Sequence, residues 1–390
     1  GHHPLRDGAL VYSIPNLYRT RDTDGDGKID AREVLFGPFG TDDTHGMNNS
    51  FTRWLDDWYY ACHGFRNDSK VHGKDGKEMH LNSGSTYRFK ADGSTIERYT
   101  WGQVNPFGLC FDPRGNLYTA DCHSMPAYQV LRNAYYPSFG KPTDGLGEGP
   151  RLIDHNHNST ALCGIVYYAA HNFPPEYRDT LFIGNVWTCR LNHNRIVAKG
   201  SYMRGEQLPD FLTCDDPWFR PVDIQLGPDG ALYIADFYNK IIGHYEVSLT
   251  HPERDRSRGR IWRVVYRGTK DKPVANPQRP DFTKASLDDR ARAYLHANCS
   301  HCHRKWGGGN AEFQLLSTLA VKELGVLDVK PQQGTFELKE PRLLVPGEPD
   351  RSMIAHRMTR LGLGRMPHIA SNVVDEPAVK LIHDWIKSMK

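Results

Sequence analysis

The sequence has no excess of charge of either sign and no long apolar run. Its 390 residues carry 49 Lys and Arg against 46 Asp and Glu, so the chain lacks the basic field with which nucleic-acid-binding proteins attract a phosphate backbone. No apolar run reaches the length of about 18 residues that a membrane-spanning helix needs. We therefore expect no nucleic-acid partner and no membrane span in this chain.

An apolar leader is also lacking, because the first ten residues, GHHPLRDGAL, contain no apolar core of a secretory signal. We expect a mature or truncated chain that begins inside a structural repeat. Glycine (36), proline (25) and tyrosine (19) are abundant, which favours short strands joined by tight turns over a helical bundle. The length predicts two domains, or one large β domain with an appendage.

Two segments of the chain repeat one plan. NPFGLCFDPRGNLYTAD (105–121) and RPVDIQLGPDGALYIAD (220–236) each combine an apolar strand, a Pro- and Gly-containing turn and a second strand that ends in Leu-Tyr-x-Ala-Asp. Weaker copies occur at 7–14, 52–63 and 173–186. Strands repeated in this way indicate a repeat architecture rather than one continuous sheet.

The spacing of the copies predicts the fold. Leu10, Trp58, Leu117, Leu181 and Leu232 occupy equivalent positions, at steps of 48, 59, 64 and 51 residues, and a period of roughly 40 to 60 residues is typical of β-propeller blades. We predict a mainly β chain: a six-bladed, N-terminally incomplete β-propeller over 1–267, with five blades visible. A linker at 268–284 and a small all-α cytochrome c-like domain at 285–390 follow. An irregular β-sandwich with similar turns is the alternative.

Residues 298–303 read NCSHCH, in which Cys299, Cys302 and His303 have the spacing of a c-type haem attachment site. Helical periodicity precedes the motif in LDDRARAYLHANC. We expect both cysteines to form thioether bonds to the porphyrin and His303 to be the proximal axial ligand of the haem iron. A structural zinc site is the alternative reading, although it would require a fourth ligand.

The distal ligand of the haem iron is predicted to be Met366 in GRMPH, 63 residues after His303, because Met/His ligation raises the reduction potential of a cytochrome c. Met358 and His368 are rival candidates. The chain then closes with DEPAVKLIHDWIKSM, which predicts an amphipathic helix that packs on the first helix through Val379, Ile382 and Ile386.

An acidic loop at 22–33, DTDGDGKIDARE, follows the ligand pattern of a calcium loop. The pattern assigns side-chain oxygens to Asp22, Asp24, Asp26, Asp30 and Glu33, a backbone oxygen to Lys28, the sharp turn to Gly27 and an inward position to Ile29. Because the preceding SIPNLYRTR reads as a strand, we expect calcium to stabilise a turn inside a blade. A solvated acidic turn is the alternative.

Six further cysteines could be free thiols or three disulfides. Haem c is attached outside the cytoplasm, so a periplasmic or otherwise extracytoplasmic location is expected, where disulfides are allowed. Six cysteines permit 15 pairings, and the sequence does not choose among them. They are Cys62, Cys110, Cys122, Cys163, Cys189 and Cys214.

Several motifs carry family resemblances. ARAYLHANCSHCHR, LLVPGEPDRSMIAHRM and GRMPH resemble the cytochrome c-like domains appended to bacterial dehydrogenases. GQVNPFGLCFDPRGNLYTADCHSMP, YYPSFGKP and RPVDIQLGPDGALYIAD with GRIWRV resemble the soluble quinoprotein glucose and sorbosone dehydrogenases. DTHGMNNSFTR, the acidic loop and the terminal haem motif are most similar to planctomycete-type haem-binding propeller dehydrogenases.

The resemblance implies roles for individual residues. His45 would be the general base on a substrate hydroxyl, with His63 and His123 lining the same funnel, although His45 could instead be a structural histidine. Arg220 would contact pyrroloquinoline quinone. Where the family pattern has two further cationic contacts, this chain has Val104 and Val222, and the loss of such contacts counts against a tricarboxylate cofactor.

Together, these patterns predict an extracytoplasmic oxidoreductase. It would oxidise a sugar or alcohol at the propeller and pass electrons through haem c to a downstream cytochrome or respiratory acceptor. The alternative is a non-catalytic propeller that binds a glycan or a protein and carries an electron-transfer domain, because propellers host many functions.

Overall fold

A computed structural model describes residues 1–44, 46–123, 127–139, 148–200, 202–243, 247–268, 284–305, 307, 311–367 and 374–389. All of its strands lie between His2 and Val264, and its α-helices lie between Leu287 and Ser388. We call these parts the β region and the helical region. The prediction of a mainly β chain is confirmed, and the predicted linker at 268–284 falls almost entirely outside the described residues.

The β region contains five antiparallel sheets of three or four strands, and in four of these the strands follow one another directly along the chain. Sheet 1 contains β1 (His2–Leu5), β2 (Gly8–Ser13), β3 (Asn16–Arg21) and β4 (Ala31–Phe36). Sheet 2 contains β5 (Asn49–Arg53), β6 (Tyr59–His63), β9 (Ser85–Phe89) and β10 (Ile96–Arg98), with the hairpin β7 (Asp68–His72) and β8 (Glu78–Asn82) inserted after β6.

The other sheets follow the same plan. Sheet 3 contains β12 (Pro106–Phe111), β13 (Leu117–Asp121) and β14 (Ala127–Val130), and sheet 4 contains β16 (Leu162–Tyr167), β17 (Thr180–Asn185), β18 (Arg190–Lys199) and β19 (Tyr202–Thr213). Sheet 5 contains β20 (Pro221–Leu226), β21 (Leu232–Asp236) and β22 (Arg260–Val264). A short parallel pair joins β11 (Trp101–Gly102) to β15 (Tyr135–Tyr136).

The first strands of the five sheets follow one another in space. β1 contacts β5, β5 contacts β12, β12 contacts β16, and β16 contacts β20. The carboxylate of Asp223 in β20 also acts electrostatically on the Gly1 amino group, which precedes β1. This is the order that propeller blades have around their axis. The described residues contain five sheets arranged in this order, which equals the number of repeated segments found in the sequence.

Four of the first strands carry a bulge near their starts. The register shifts between Asn49 and Thr52, Pro106 and Leu109, Cys163 and Ile165, and Pro221 and Asp223. Gly108 and Gly164 have φ values of 130° and 69°, and a Cβ on Gly164 would lie 2.8 Å from the Asp223 Cα. Glycine is therefore required here, because neighbouring first strands approach each other at the bulges.

Apolar cores lie between successive sheets. One cluster joins sheets 1 and 2 and includes Leu10 and Phe89; another joins sheets 4 and 5 through Phe182 and Ile234. Sheets 3 and 4 share a cluster that includes Ile165. Sheets 2, 3 and 4 thus lie between two neighbours, and their strands β6, β13 and β17 are buried at every position. In sheet 5, buried and partly exposed residues alternate along β21, and β22 is largely exposed.

The helical region contains α1 (Leu287–Cys299), α2 (Met353–Met358) and α3 (Glu376–Ser388). Ala291 and Leu295 of α1 share an apolar cluster with Ile382 and Ile386 of α3, so the predicted packing between the first and last helices is present through these two residues. Val379 is half-buried and does not belong to the cluster. Trp385 Nε1 donates to Asp288 Oδ1 at 2.9 Å. Among the described residues, no helix combines the length and apolarity of a membrane span.

Candidate functional site

The haem motif forms a single turn at the end of α1. Ser286 caps the start of this helix by accepting a hydrogen bond from Asp289 N on its Oγ. At the other end, the backbone N–H groups of Cys302 and His303 donate to Cys299 O at 3.2 and 2.9 Å. The two thiols and the imidazole thus project from one compact turn, as attachment to a single planar group requires.

An aromatic ring holds the imidazole of the motif in place, and apolar side chains near the predicted distal loop are exposed. The His303 ring stacks on Phe313 with 4.4 Å between centroids and 10° between planes, which fixes the orientation of the imidazole. Burial raises the pKa of the Cys299 thiol to about 12. Leu361 and Leu363 near the predicted distal loop are 54% and 89% exposed, and apolar surface of this kind is what a porphyrin face covers.

The rival distal ligands have different surroundings. Met358 packs against the apolar cluster shared by α1 and α3. Met366 is half-buried in the loop after α2, and its N–H donates to Arg357 O at 3.1 Å. His368 lies outside the described residues. Because the thioether of Met358 already contributes to a core, Met366 is the better candidate.

Residues beside the motif contact the β region. Ser300 Oγ donates to Arg114 O at 3.0 Å, and the Arg304 guanidinium donates to Arg114 O and to Asn116 Oδ1, each at 3.1 Å. Arg114 and Asn116 belong to the turn between β12 and β13. The haem motif therefore lies at the turn end of sheet 3, opposite the end at which β12 begins.

Apolar and aromatic groups extend this contact. Ala293 of α1 belongs to the apolar cluster between sheets 2 and 3. The Trp54 indole stacks on Phe111 at 4.2 Å and meets the His296 ring edge-on at 6.0 Å. Burial lowers the pKa of His296 to about 4, so this imidazole is neutral at the interface near neutral pH. The sequence patterns did not predict this contact, because it joins segments that lie far apart along the chain.

The acidic loop is the connection between β3 and β4, as expected for a turn inside a blade. The ligand atoms of Asp22, Asp24 and Asp30 all lie within 4.8 Å of one another. The Asp22 carboxylate accepts from Gly25 N and Gly27 N at 2.7 and 2.8 Å, and these hydrogen bonds, led by that of Gly27, lower the pKa of its carboxyl group. Three preorganised carboxylates fit a hard divalent cation such as calcium.

The other predicted calcium ligands are arranged differently. Asp26 pairs with the Lys28 ammonium group at 3.3 Å. Glu33 lies on β4 and pairs with Arg21 at 3.2 Å, because the strand directs its carboxylate away from the loop. Ile29 is 52% exposed, so its predicted inward packing is wrong. The absence of an exiting helix explains these differences from an EF-hand.

The loop before β5 carries His45, which lies outside the described residues. Asn67 holds the loop on both sides of that position: its Nδ2 donates to Asp43 O at 2.9 Å and to Gly46 O at 3.0 Å. Asn105 Oδ1 accepts from Phe65 N at 3.3 Å in the same area. The loop is thus fixed at the end where β5 and β12 begin, the end opposite the haem motif.

Two other histidines were expected to line the same funnel. His63 is 1% exposed, and its Nδ1 and Nε2 lie 2.9 Å from Ser83 O and 2.7 Å from Ser69 Oγ. Burial lowers its pKa to about 4. The prediction that His63 lines an open funnel is therefore wrong, because both ring nitrogens are used within the protein. His123 is exposed where β13 ends.

The repeated aspartates of Leu-Tyr-x-Ala-Asp have a structural role. Asp121 accepts hydrogen bonds from Val104 N and Asn105 N at 2.9 and 3.0 Å. Asp236 accepts from Arg220 N at 2.8 Å and from the side chains of Arg260 and Trp262. Each carboxylate thus ties the end of a second strand to the start of the first strand of the same sheet.

The Arg220 side chain is occupied within the protein. Its guanidinium donates to the carbonyl oxygens of Asn239, Val186 and Lys240 at 2.9, 2.6 and 3.0 Å, and the residue is 7% exposed. The predicted cofactor contact of Arg220 is therefore not favoured. With Val104 fully buried and Val222 replacing a second cationic residue, these positions do not fit a tricarboxylate quinone.

None of the eight cysteines forms a disulfide in this structure. Four of the six outside the haem motif are buried in strands or adjacent turns: Cys62, Cys110, Cys163 and Cys189. Burial raises the pKa of the Cys62 thiol to about 12, which makes it a poor nucleophile. Cys122 and Cys214 are partly exposed. The sequence left open whether the six cysteines outside the haem motif are thiols or disulfides, and in the structure they are thiols.

A surface cavity of about 410 Å³ lies beside sheet 5 and is lined by Trp218, Lys240 and residues 252–258. Of the arginines in that segment, Arg254 donates to carbonyl oxygens of the preceding loop, including Ile241 O at 3.3 Å, and Arg258 pairs with Asp255. Two of the arginines that line the cavity therefore bind groups of the cavity wall, which leaves less of their positive charge available to a ligand.

Comparisons with known proteins give one family match. A family model described as "Domain of unknown function (DUF7133)" matches residues 1–268. No curated protein matches the chain.

Several solved structures share low similarity with the chain. A glucose dehydrogenase is 16% identical over 68% of this chain and 94% of its own, with a TM-score of 0.40. The soluble aldose sugar dehydrogenase of Escherichia coli, in its apo form, is 14% identical over 60% and 91%, with a TM-score of 0.37. The PQQ-bound aldose sugar dehydrogenase of Streptomyces coelicolor is 14% identical over 62% and 88%, with a TM-score of 0.35. These similarities are too low to assign an activity.

Proposed function

The chain belongs to the DUF7133 family through residues 1–268, and we propose that it is an extracytoplasmic oxidoreductase. It oxidises a sugar or alcohol hydroxyl in the β region by two electrons, which a two-electron acceptor such as a quinone-class cofactor would take up there and pass one at a time to a covalently bound haem c in the helical region. A downstream cytochrome or respiratory component then accepts the electrons. The β region is proposed to be a propeller of the sugar dehydrogenase type.

The observation that carries this proposal is the geometry of the haem motif. Cys299, Cys302 and His303 occupy one turn at the end of α1, and the neighbouring residues Ser300 and Arg304 bind the β12–β13 turn directly. A haem attached there supplies a one-electron redox centre beside the β region. Met366 completes the proposed axial pair. Such contact supports electron exchange between the two regions rather than two independent functions.

The proposed base for the reaction is His45. Its loop is held by Asn67 at the opposite end of the first strands. A neutral imidazole there would accept the proton of the substrate hydroxyl, because its ordinary pKa lies near the working pH. A strand of five or six residues separates this end from the haem motif, which corresponds to roughly 17–20 Å.

Calcium is proposed to occupy the β3–β4 loop through Asp22, Asp24 and Asp30, with a structural role far from the chemistry. No reaction step is assigned to pyrroloquinoline quinone, because the residues at the matching positions are two valines and a fully occupied arginine. The identity of the group that first accepts the electrons is therefore part of the test below.

A binding propeller with an electron-transfer domain is the second candidate. It is favoured by the occupied guanidinium of Arg220 and by the position of the haem motif, at the end of the sheets opposite Asp43 and Gly46. In that case the β region would bind a glycan or protein, and the haem would exchange electrons with a separate redox partner.

Spectroscopy of the haem separates the two candidates. The purified chain is mixed anaerobically with a panel of sugars and alcohols, with and without added calcium and pyrroloquinoline quinone, and reduction of the haem is followed by stopped flow. The enzyme reduces its haem with at least one substrate. No reduction by any member of the panel, in either preparation, would favour the binding propeller.

The role of His45 is tested in the same assay. His45→Ala should lower the rate of substrate-driven haem reduction by about a hundred-fold or more, the lower range of general-base catalysis, without changing the haem spectrum. His123→Ala, at an exposed position on the same end of the sheets, is the matched control and should have a smaller effect. An unchanged rate in His45→Ala would assign the base to another residue.

A further inference from the structure

Two histidines outside the haem motif converge on one side-chain amide. His155 and His157 lie in the segment between β15 and β16, and Asn194 lies on β18. His155 Nε2 is 3.2 Å from His157 Nε2 and 2.8 Å from Asn194 Oδ1, and His157 Nε2 is 3.1 Å from the same oxygen. Three potential ligand atoms therefore form a nearly equilateral triangle.

We propose that His155, His157 and Asn194 bind a divalent transition-metal ion of the class that prefers imidazole, such as zinc. Ligand atoms placed about 2.0–2.1 Å from a tetrahedral ion lie about 3.3 Å from one another. The triangle measured here has edges close to that value. Two imidazole nitrogens with one amide oxygen suit zinc, copper or nickel better than calcium or magnesium.

Burial and backbone conformation hold the three ligand atoms in place. His157 is 5% exposed, and Asn194 is fully buried. The backbone of His157 has a φ of 51° and that of Asn158 a φ of 54°, a left-handed pair that costs free energy in non-glycine residues. The Asn185 side chain donates to His157 O at 3.4 Å. The protein thus maintains an unfavourable backbone conformation that brings the imidazole to Asn194.

Gln207, which is not one of the three proposed ligands, lies where it can set the tautomer of His157. The Gln207 amide nitrogen, Nε2, lies 3.5 Å from His157 Nδ1, and a flip of the amide group would put the oxygen in its place. With the oxygen facing Nδ1–H, the lone pair of Nε2 points into the triangle, as metal ligation requires. Gln207 is exposed and His155 half-buried, so an ion can enter from solvent and keep a water ligand.

Hydrogen bonds maintain the same arrangement without an ion. The Asn194 amide nitrogen lies 3.0 Å from His157 Nε2, and His155 Nε2 can donate to Asn194 Oδ1. Nearby, Asp210 accepts from Asn192 Nδ2 at 2.6 Å and contributes negative potential. The ligand set is neutral, and this carboxylate also pairs with Arg190 at 2.8 Å, so it offsets only a small part of the charge of a bound cation.

Titration of the full chain, with its haem attached, with Zn²⁺ and Co²⁺ tests the proposal. Haem attachment occupies Cys299 and Cys302, which would otherwise compete for the metal. The parent chain should bind one ion that His155→Gln binds at least about a hundred-fold more weakly, and Gln207→Leu should weaken binding about ten- to a hundred-fold. His80→Gln, at an exposed histidine paired with Asp68, is the matched control and should retain full affinity.

His155 is partly exposed, so we do not expect its substitution to affect folding. Substitution of the buried His157 could destabilise the fold and would not separate metal binding from folding. The Co²⁺ spectrum of the parent should show nitrogen and oxygen ligation without a thiolate charge-transfer band. Equal affinity of the parent and His155→Gln, or a thiolate band, would overturn the proposal. Neither result depends on the proposed oxidoreductase activity, because the readout is metal binding alone.

Discussion

The haem motif and the His155–His157–Asn194 site are both centred on histidine, but they are assembled in different ways. The three residues of the haem motif lie within five positions of the chain, and one turn at the end of α1 presents all of them. Asn194 lies 37 residues after His157 and reaches it only because β18 packs beside the segment that precedes β16. Local backbone therefore suffices for the first site, whereas the second requires sheet 4 to be folded.

The same contrast separates the acidic loop from the end of the sheets where β5 and β12 begin. Asp22, Asp24 and Asp30 are presented by one hairpin turn. The other end combines residues from several sheets, and there the predictions of His63 in a funnel and Arg220 at a cofactor were not supported. Sequence patterns therefore predict the wrong role most readily for a residue whose surroundings come from several strands.

Loss of the haem should be the largest effect. Cys299→Ala with Cys302→Ala should abolish covalent attachment, because the thioether bonds have no other partners in the turn. Intact mass after denaturation measures it: the parent should exceed its polypeptide mass by one haem. A haem-bound mass in the double variant would contradict the assignment, and Cys214→Ala is the control.

Removing Asp236 should give the next largest effect. Its carboxylate accepts hydrogen bonds from a backbone N–H and from two side chains, and their loss should lower the free energy of unfolding by about 3 kcal/mol. Asp121→Ala, in the equivalent position of sheet 3, should also destabilise the chain. Urea denaturation of both variants and of exposed Asp215→Ala measures this. Equal stability of all three variants would refute the shared structural role.

Buried His63 should make stability depend on pH. Burial lowers its pKa to about 4, whereas its pKa in the unfolded chain is about 6.5. Its contribution is fully present above about pH 6.5 and is lost as the pH falls towards 4, by about 3 kcal/mol in total. His63→Gln should flatten the dependence of the unfolding free energy on pH across that window, and exposed His80→Gln should not. Parallel pH profiles for the parent and His63→Gln would contradict this.

Removal of calcium should have the smallest effect of the four on the protein, a modest loss of stability. Asp30→Asn should weaken binding, while Glu33→Gln should not, because Glu33 pairs with Arg21 instead of facing the loop. At free calcium about ten times Kd, the ion should stabilise the parent by about 1.4 kcal/mol. Thermal melts with calcium and with chelator measure this, and a loss of binding in Glu33→Gln would restore the full five-carboxylate pattern.

Much of the local structure was predictable from short-range patterns. The helix before Cys299 was predicted because apolar residues recur at helical spacing in α1, and the α3 positions Ile382 and Ile386 were predicted to be buried for the same reason. The five repeated strand pairs were visible because the copies share apolar or aromatic strands at similar spacing, and the turns of the two clearest copies contain both Pro and Gly. Docking of α1 on Trp54 and Arg114 was not predicted, because it joins segments more than 180 residues apart.

Short-range sequence patterns were enough to predict the strand pairs, the first and last helices and the contiguous candidate ligand sets at 22–30 and 299–303, because neighbouring residues in a turn or helix have fixed relative positions. The tertiary structure alone decided that Arg220 binds carbonyl oxygens, that His63 is enclosed and that His155, His157 and Asn194 meet. Those outcomes depend on how the sheets pack and which backbone groups each side chain then reaches, and the same residue types would serve other roles in another arrangement.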